Sequence, residues 1–325
     1  HYFYLSEEDI LEHGPCYAFD PVAQFNIPFQ LYSLYVEEHK ITNIRIPAPT
    51  FQEFIHKAKI LDEFKGFLRS YSKPPFKRKH LIINLQDRTS WREHVRCEVL
   101  ERLQRKREFS KLLTVVTLAR DTEFYHQVAS YEKDNKAKVF MEHFKEHLSD
   151  ENCGFFFPRA VKSALFPEFI DGVINAIHRI FFSKMNVLTV RNRRDFIEIF
   201  YLFLQIKLIE WVHPDSFSLM CKDSIDNGGA ASTQLYAFLK ILGSEELTES
   251  EIEQMNFMLY TPSLLIRERI LLPDVFDRMI NLLKRIEGTK QELGPRNFKK
   301  IINEAFGCFY DSPILESLVV LPTMK

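Results

Sequence analysis

The sequence predicts an α/β fold with a mostly parallel central sheet flanked by helices and a helix-rich C-terminal part. Three observations predict it. The apolar runs 81–85, 112–118 and 217–220 have strand length and are bounded by polar or turn-forming residues. The first two are separated by a segment of helical periodicity, and strand, helix and strand in succession favour a right-handed crossover between parallel neighbours. From residue 230 onward the strong patterns are helical. The 325 residues, 46% of them hydrophobic, suffice for a sizeable core.

From the N-terminus, 1–50 reads as irregular, with turn signals at Gly14-Pro15 and Pro47-Ala48-Pro49 and a short helix or strand over 32–38. The first residues carry acidic side chains and no apolar run, so no signal peptide is expected there. Thr50 and Glu53 stand at capping-box spacing, which predicts a helix over 51–71. The basic, proline-containing stretch 73–80 then divides an N-terminal mixed or helical region, 1–75, from an α/β domain, 76–325. Its charge reads as a solvated linker or as a contact for an anionic partner such as a lipid headgroup.

Strand 81–85 is followed by a helix over 90–104, with Ser90 and Glu93 at capping-box spacing, and by strand 112–118. Helices are expected over 122–131, 137–148, 167–182 and 195–211. The apolar stretch 196–212 is interrupted by Glu198, Gln205, Lys207 and Glu210, which favours a buried or amphipathic helix over a membrane span. After strand 217–220 come helices over 230–242, closed by Gly243, and over 250–259 and 273–287. Between the last two, 262–273 alternates like a strand and carries Arg267 and Arg269.

A net charge of −1 gives no field that would draw the chain to nucleic acid. Five irregularly spaced cysteines without a Cys-x-x-Cys pair predict free thiols in a reducing, cytoplasmic compartment. No cofactor is expected, since Gly-x-Gly-x-x-Gly, Walker A and Gly-x-Ser-x-Gly patterns are all missing. His143 and His147 lie one helical turn apart, but their flanking glutamates are out of order for a zinc helix, so no metal is expected.

The chemistry concentrates between Cys221 and Gly229. An apolar strand delivers Cys221 into the run Lys222-Asp223-Ser224-Ile225-Asp226-Asn227-Gly228-Gly229, which opens into a helix. Inward-facing N–H groups of such a loop and the positive end of the helix suit an anion. They would also lower the pKa of a thiol, and a thiolate can attack phosphorus. The segment resembles the Cys-x5-Arg signature of cysteine-dependent phosphatases. Against the Sac-type inositol-lipid pattern Cys-x-Asp-Cys-Leu-Asp-Arg-Thr, residues Cys221, Asp223, Ile225 and Asp226 match in identity or type, with Ser224 for the second cysteine. Against the Cys-Lys-Ser-x-Lys-Asp-Arg pattern of bacterial-effector inositol phosphatases, Cys221, Lys222 and Asp226 match.

The resemblance implies Cys221 as nucleophile, Lys222 as headgroup contact and Asp226 as an acid/base or loop-structuring residue. The backbone from Ser224 to Gly229 would be the anion cradle. Asn227 stands where these families carry arginine, and the neutral amide cannot supply that side chain's charged fork. A cation from elsewhere would have to replace it, with Arg88, Arg193 and Arg267 as candidates. Asp87 and Arg88 follow strand 81–85, and in α/β folds the carboxyl ends of strands line the ligand crevice. Asp87 could serve there as general acid and Arg88 as phosphate ligand. A plain helix cap and ion pair is the other reading of these two, as an Asx-turn and cap is of Asp226 and Asn227.

Two functions follow from the sequence. One is a phosphatase-like protein, active or degenerate, whose ligand is a phosphorylated small molecule or lipid headgroup such as a phosphoinositide. The other is a non-enzymatic effector or scaffold that binds a protein partner, in the cytoplasm or in a host cytosol.

Overall fold

Two N-terminal strands join the same sheet as the three buried strands expected from the sequence. In the computed structural model, residues 26–73, 77–133, 135–243 and 247–322 are described. The expectations over 1–25 and the boundary at 75/76 lie outside them. Strands β1 (Phe29–Val36) and β2 (His39–Arg45) form an antiparallel pair across a tight turn, with Glu37 at a left-handed φ of 55°. A hairpin of β3 (Thr50–Phe54) and β4 (Lys57–Ile60) forms a separate two-stranded sheet, followed by α1 (Asp62–Tyr71). The helix expected over 51–71 is therefore only its second half. Thr50, Phe51 and Phe54 favour extended backbone, and Glu53 reaches across the turn to Lys57 and Lys59.

Next come β5 (His80–Asn84), α2 (His94–Leu103) and β6 (Leu113–Thr117), then α3 (Glu123–His126), α4 (Ala137–Ser149), α5 (Arg159–Leu165), α6 (Phe169–Phe181) and α7 (Val190–Val212). Strand β7 (Ser216–Met220) leads into α8 (Asp226–Gly243). Helices α9 (Glu249–Arg267), α10 (Pro273–Leu293), α11 (Pro295–Phe306) and α12 (Ile314–Ser317) precede β8 (Val319–Pro322). The six-stranded sheet runs β6-β5-β7-β2-β1-β8, with parallel pairs from β6 to β2 and antiparallel pairs from β2 to β8.

Side-chain alternation splits the core. Ile82, Val115 and Met220 pack with Phe64, Leu68, Leu100 and Leu103 of α1 and α2 on one face. Leu81, Ile83, Val116, Phe217 and Leu219 pack on the other with the helices around α7. Helix α7 is buried along nearly its whole length. Its buried charges survive there because they are paired: Lys207 meets Glu210 and Asp311, and Glu198 meets Arg120 and Gln234. Burial alone would raise the Glu198 carboxyl, but Arg120 and Arg278 carry the net shift downward. Among the described residues, no helix is long and apolar enough to cross a membrane.

Two expectations in the C-terminal half change. Segment 262–273 is not strand-like, because α9 continues through Pro262 to Arg267 and ends where Glu268 turns left-handed at φ 50°. Proline has no N–H, so the Met258 carbonyl loses its usual partner from residue 262. That carbonyl instead faces Gly229 on α8, where a Cβ would lie 3.1 Å from it.

The sheet also buries a polar chain. His80 Nδ1 lies 2.7 Å from Ser216 Oγ, its Nε2 lies 3.2 Å from Ser218 Oγ, and the Tyr71 hydroxyl closes on Ser216 Oγ at 2.8 Å. Burial pulls the His80 imidazole down to about 3. Below the ordinary histidine pKa the unfolded chain takes up a proton that the folded one refuses. The His80 contribution to stability is therefore complete above about pH 6.5 and falls by about 1.4 kcal/mol per pH unit toward pH 3. In denaturant titrations at pH 7 and pH 5, His80→Gln should be less stable than wild type at pH 7 but should lose less on acidification. Equal losses in both proteins would refute the assignment.

Candidate functional site at the Cys221 loop

Strand β7 lies between β5 and β2 and ends at Met220, whose carbonyl accepts the Leu85 N–H at 2.6 Å. Cys221 therefore stands at the carboxyl end of the parallel strands, beside the turn that follows β5. The loop is shorter than expected, since α8 begins at Asp226 and takes Asn227, Gly228 and Gly229 into its first turns. Both glycines serve close packing rather than a turn. A Cβ on Gly228 would lie 3.0 Å from the Leu219 carbonyl and 3.1 Å from Ser224 Cβ.

The turn itself is made by Asp223 and Ser224. Asp223 Oδ1 accepts the Ile225 N–H at 3.3 Å, and Ser224 adopts a left-handed φ of 53°. Its hydroxyl donates to the Ile46 carbonyl at 2.6 Å. The buried Arg45, from the end of β2, then gathers the outward-facing carbonyls. Its Nε donates to Ser224 O at 2.9 Å, and its Nη2 donates to Asp223 O at 3.0 Å and to Asn26 Oδ1 at 2.5 Å. Asn26 Nδ2 adds a bond to Asp223 O, and the Lys222 carbonyl accepts from Ala48 N at 3.1 Å. Burial lowers the Arg45 guanidinium to about 10, opposed by Cys221 and Asp223, so it stays charged at neutral pH.

With the Asp223 carbonyl turned to Arg45 and the Asn227 carbonyl to Arg120, the N–H groups of Ser224 and Gly228 point at Cys221. These amides favour a thiolate, but burial outweighs them and the Asp223 carboxylate adds to it, so the thiol is pushed up to about 12. The lowered pKa expected from the loop and helix dipole is thus reversed. At pH 7 such a thiol is ionised in about one molecule in 10⁵.

Charged side chains crowd the mouth. Arg267 holds Asp223 Oδ2 with Nε at 3.3 Å and Nη2 at 3.1 Å. Arg269 grips Asp226 with two bonds of 2.9 and 2.7 Å, and the Leu272 N–H caps the same carboxylate at 3.1 Å. Lys222 is half-buried, and its ammonium is lowered by burial and by Arg96, against Glu93 and Asp223. Burial raises Glu93, although it accepts the Asp87 N–H at 2.8 Å and faces Arg96 and Lys222.

The expected site residues thus separate into two groups. Cys221, Lys222, Ser224, Asp226, Asn227, Gly228 and Gly229 are together in the loop and the first turn of α8, and Arg267 joins them. Asp226 is committed to Arg269, which suits a loop-structuring role better than proton transfer. Arg88 is held by Glu101 and Glu151, and Asp87 Oδ1 accepts from the Thr89 N–H and hydroxyl, the cap-and-ion-pair arrangement. Arg193 is buried and donates to Gln127 Oε1 and to the Leu188, Tyr131 and Glu132 carbonyls. Glu93 does not make the expected capping box with Ser90, because α2 starts only at His94 and the carboxylate turns back to Asp87.

Arg45, Arg96 and Glu93 were not singled out from the sequence as site residues. The one available signal was Arg45 in alternation with Ile41 and Asn43, a cation on the buried face of a strand. No protein-family model, no curated protein and no solved structure matches the chain.

Iodoacetamide applied to the native protein at pH 8 should label the exposed Cys308 at least about 10²-fold faster than Cys221, a difference that vanishes in denaturant. Faster labelling of Cys221 would contradict the buried neutral thiol. Arg45→Lys, which keeps the charge but loses the fork, should cost about 2 kcal/mol in equilibrium unfolding. It should also speed hydrogen exchange at Ser224 and Ile225, whose peptide carbonyls Arg45 holds. An unchanged midpoint would show that the guanidinium does not hold the loop.

Proposed function

We propose that the chain is a phosphatase-like α/β protein that binds a phosphoryl-bearing ligand at the Cys221 loop without hydrolysing it. The observation that carries this reading is the combination, in one loop, of amides and cations suited to an anion with a neutral thiol and no arginine at position 227. The Ser224 and Gly228 amides and the start of α8 supply directional positive charge. Arg45, Lys222, Arg96 and Arg267 stand near the loop against the carboxylates of Glu93 and Asp223, an excess of positive charge. An in-line attack needs a thiolate and a cationic clamp on the equatorial oxygens. Losing even one preorganised neutral donor costs about 10²–10³ in rate.

A protein-binding role is the second reading. Leu264, Leu265, Ile270 and Leu272 are exposed around the corner between α9 and α10, next to the arginines that hold Asp223 and Asp226.

Phosphate release from a panel of phosphoinositides and phosphopeptides tests the reading. Wild type should give no more than Cys221→Ser. Calorimetry with soluble inositol trisphosphate should show binding that Lys222→Ala weakens. Turnover in the wild type that Cys221→Ser abolishes would make the protein an enzyme. No binding of inositol trisphosphate or phosphopeptides would shift the reading to the apolar corner.

A further inference from the structure

The hairpin of β3 and β4 ends in a tip that is left exposed among the described residues. Phe54 and Ile55, at the turn, are 58% and 57% exposed, although both are large and apolar. Trp91, in the turn before α2, is 61% exposed. Helix α2, which follows Trp91, packs on the hairpin: Gln52 Oε1 accepts from Arg96 Nε of α2 at 2.8 Å, and Gln52 Nε2 reaches back to the Ile55 carbonyl at 3.4 Å. Arg96 also neighbours Lys222, and Ala48 N donates to the Lys222 carbonyl, so the base of the hairpin adjoins the Cys221 loop and the tip projects from that side of the molecule. Lys57 and Lys59 flank the tip, both largely exposed, with Glu53 as their partner. Arg92 stands 5.0 Å over the Trp91 ring.

Exposed apolar clusters on a protein surface mark something they dock against. Burying three such side chains completely removes on the order of 500 Å² from water. A specific protein interface takes roughly 800 Å² from each partner. A projecting tip of two apolar residues, an indole and flanking cations instead matches the water–lipid boundary. There an indole sits at the headgroup level, apolar tips reach the acyl region, and basic side chains meet anionic lipid.

We infer that the Phe54-Ile55 hairpin tip and Trp91 dock the protein on an anionic bilayer, bringing the mouth of the Cys221 loop to lipid headgroups. The docking stands on the hairpin alone, whereas the headgroup as the loop's ligand rests on the function proposed above.

Trp91 and Trp211 are the two tryptophans of the chain, so Trp211→Phe leaves Trp91 as the sole reporter. This protein is mixed with vesicles of phosphatidylcholine alone, with added phosphatidylserine, or with added phosphatidylinositol phosphate. Trp91 emission should shift to the blue, and the protein should co-sediment, with both anionic compositions and not with phosphatidylcholine alone. The double variant Phe54→Ser and Ile55→Ser should reduce co-sedimentation at least tenfold. Its circular dichroism should not change, since both side chains are already in water.

Emission that no vesicle moves, binding that the double variant retains, or equal binding to neutral vesicles would overturn the inference. Calorimetry with inositol trisphosphate separates the two claims. A protein that binds the soluble headgroup and ignores every vesicle refutes the docking and leaves the loop reading standing. Hairpin-dependent binding to phosphatidylserine vesicles, without binding of inositol trisphosphate or phosphopeptides, upholds the docking and refutes the loop reading.

Discussion

The buried guanidinium of Arg45 is the interaction around which the centre of this protein is arranged. Three elements distant in the chain meet on it: the approach to β1 through Asn26 and Ile27, the end of β2, and the loop between β7 and α8. A cation without water needs several acceptors at once, and the loop carbonyls provide them. Their orientation has a second effect. A peptide group that turns its oxygen toward its cation turns its N–H the other way, so Arg45 on the Asp223 carbonyl aims the Ser224 amide at Cys221, and Arg120 on the Asn227 carbonyl does the same for Gly228. Position 45 acts on the loop from a neighbouring strand. It organises the loop's backbone, but its own N–H groups are spent on carbonyls.

That division explains why the site has the form of a reactive loop and the electrostatics of a quiet one. Helix α8, the amides and the nearby cations all favour negative charge on sulfur. Removal from water opposes it more strongly, and the Asp223 carboxylate opposes it further. Asp223 is held in place by Arg267, which reaches the loop from the end of α9. The groups that would activate a thiol are consumed in closing the structure over it.

Much of the fold was legible because its central strands are buried on both faces and read as short apolar runs. The N-terminal pair was harder. In β1 and β2, tyrosine, asparagine and arginine occupy inward positions, and their polarity masks a period of two. Thr50 and Glu53 imitate a helix start, and only the cross-turn contacts of Glu53 with two lysines reveal a hairpin. The loop residues themselves were legible, since a cysteine after an apolar run and before glycines is a local pattern. Their charge state was not. It depends on how deeply Cys221 is buried and on Arg45 and Glu93, which are remote in sequence and enter through strand order and packing. The sequence also suggested Arg88, whose guanidinium turned out to serve Glu101 and Glu151.

The approach of α8 to the proline-bearing stretch of α9 carries an implication for how this sequence can vary. A Cβ at Gly229 would lie 3.1 Å from the Met258 carbonyl, closer than side chains ordinarily come, and that carbonyl has no N–H at residue 262 to bond because that residue is proline. A lineage that replaced Gly229 first would meet a steric penalty. One that first replaced Pro262 with a residue bearing an N–H could draw the carbonyl back into α9 and open room for a side chain on α8. The order in which the two changes arise therefore decides whether the path between them is open, and the two positions should drift as a pair.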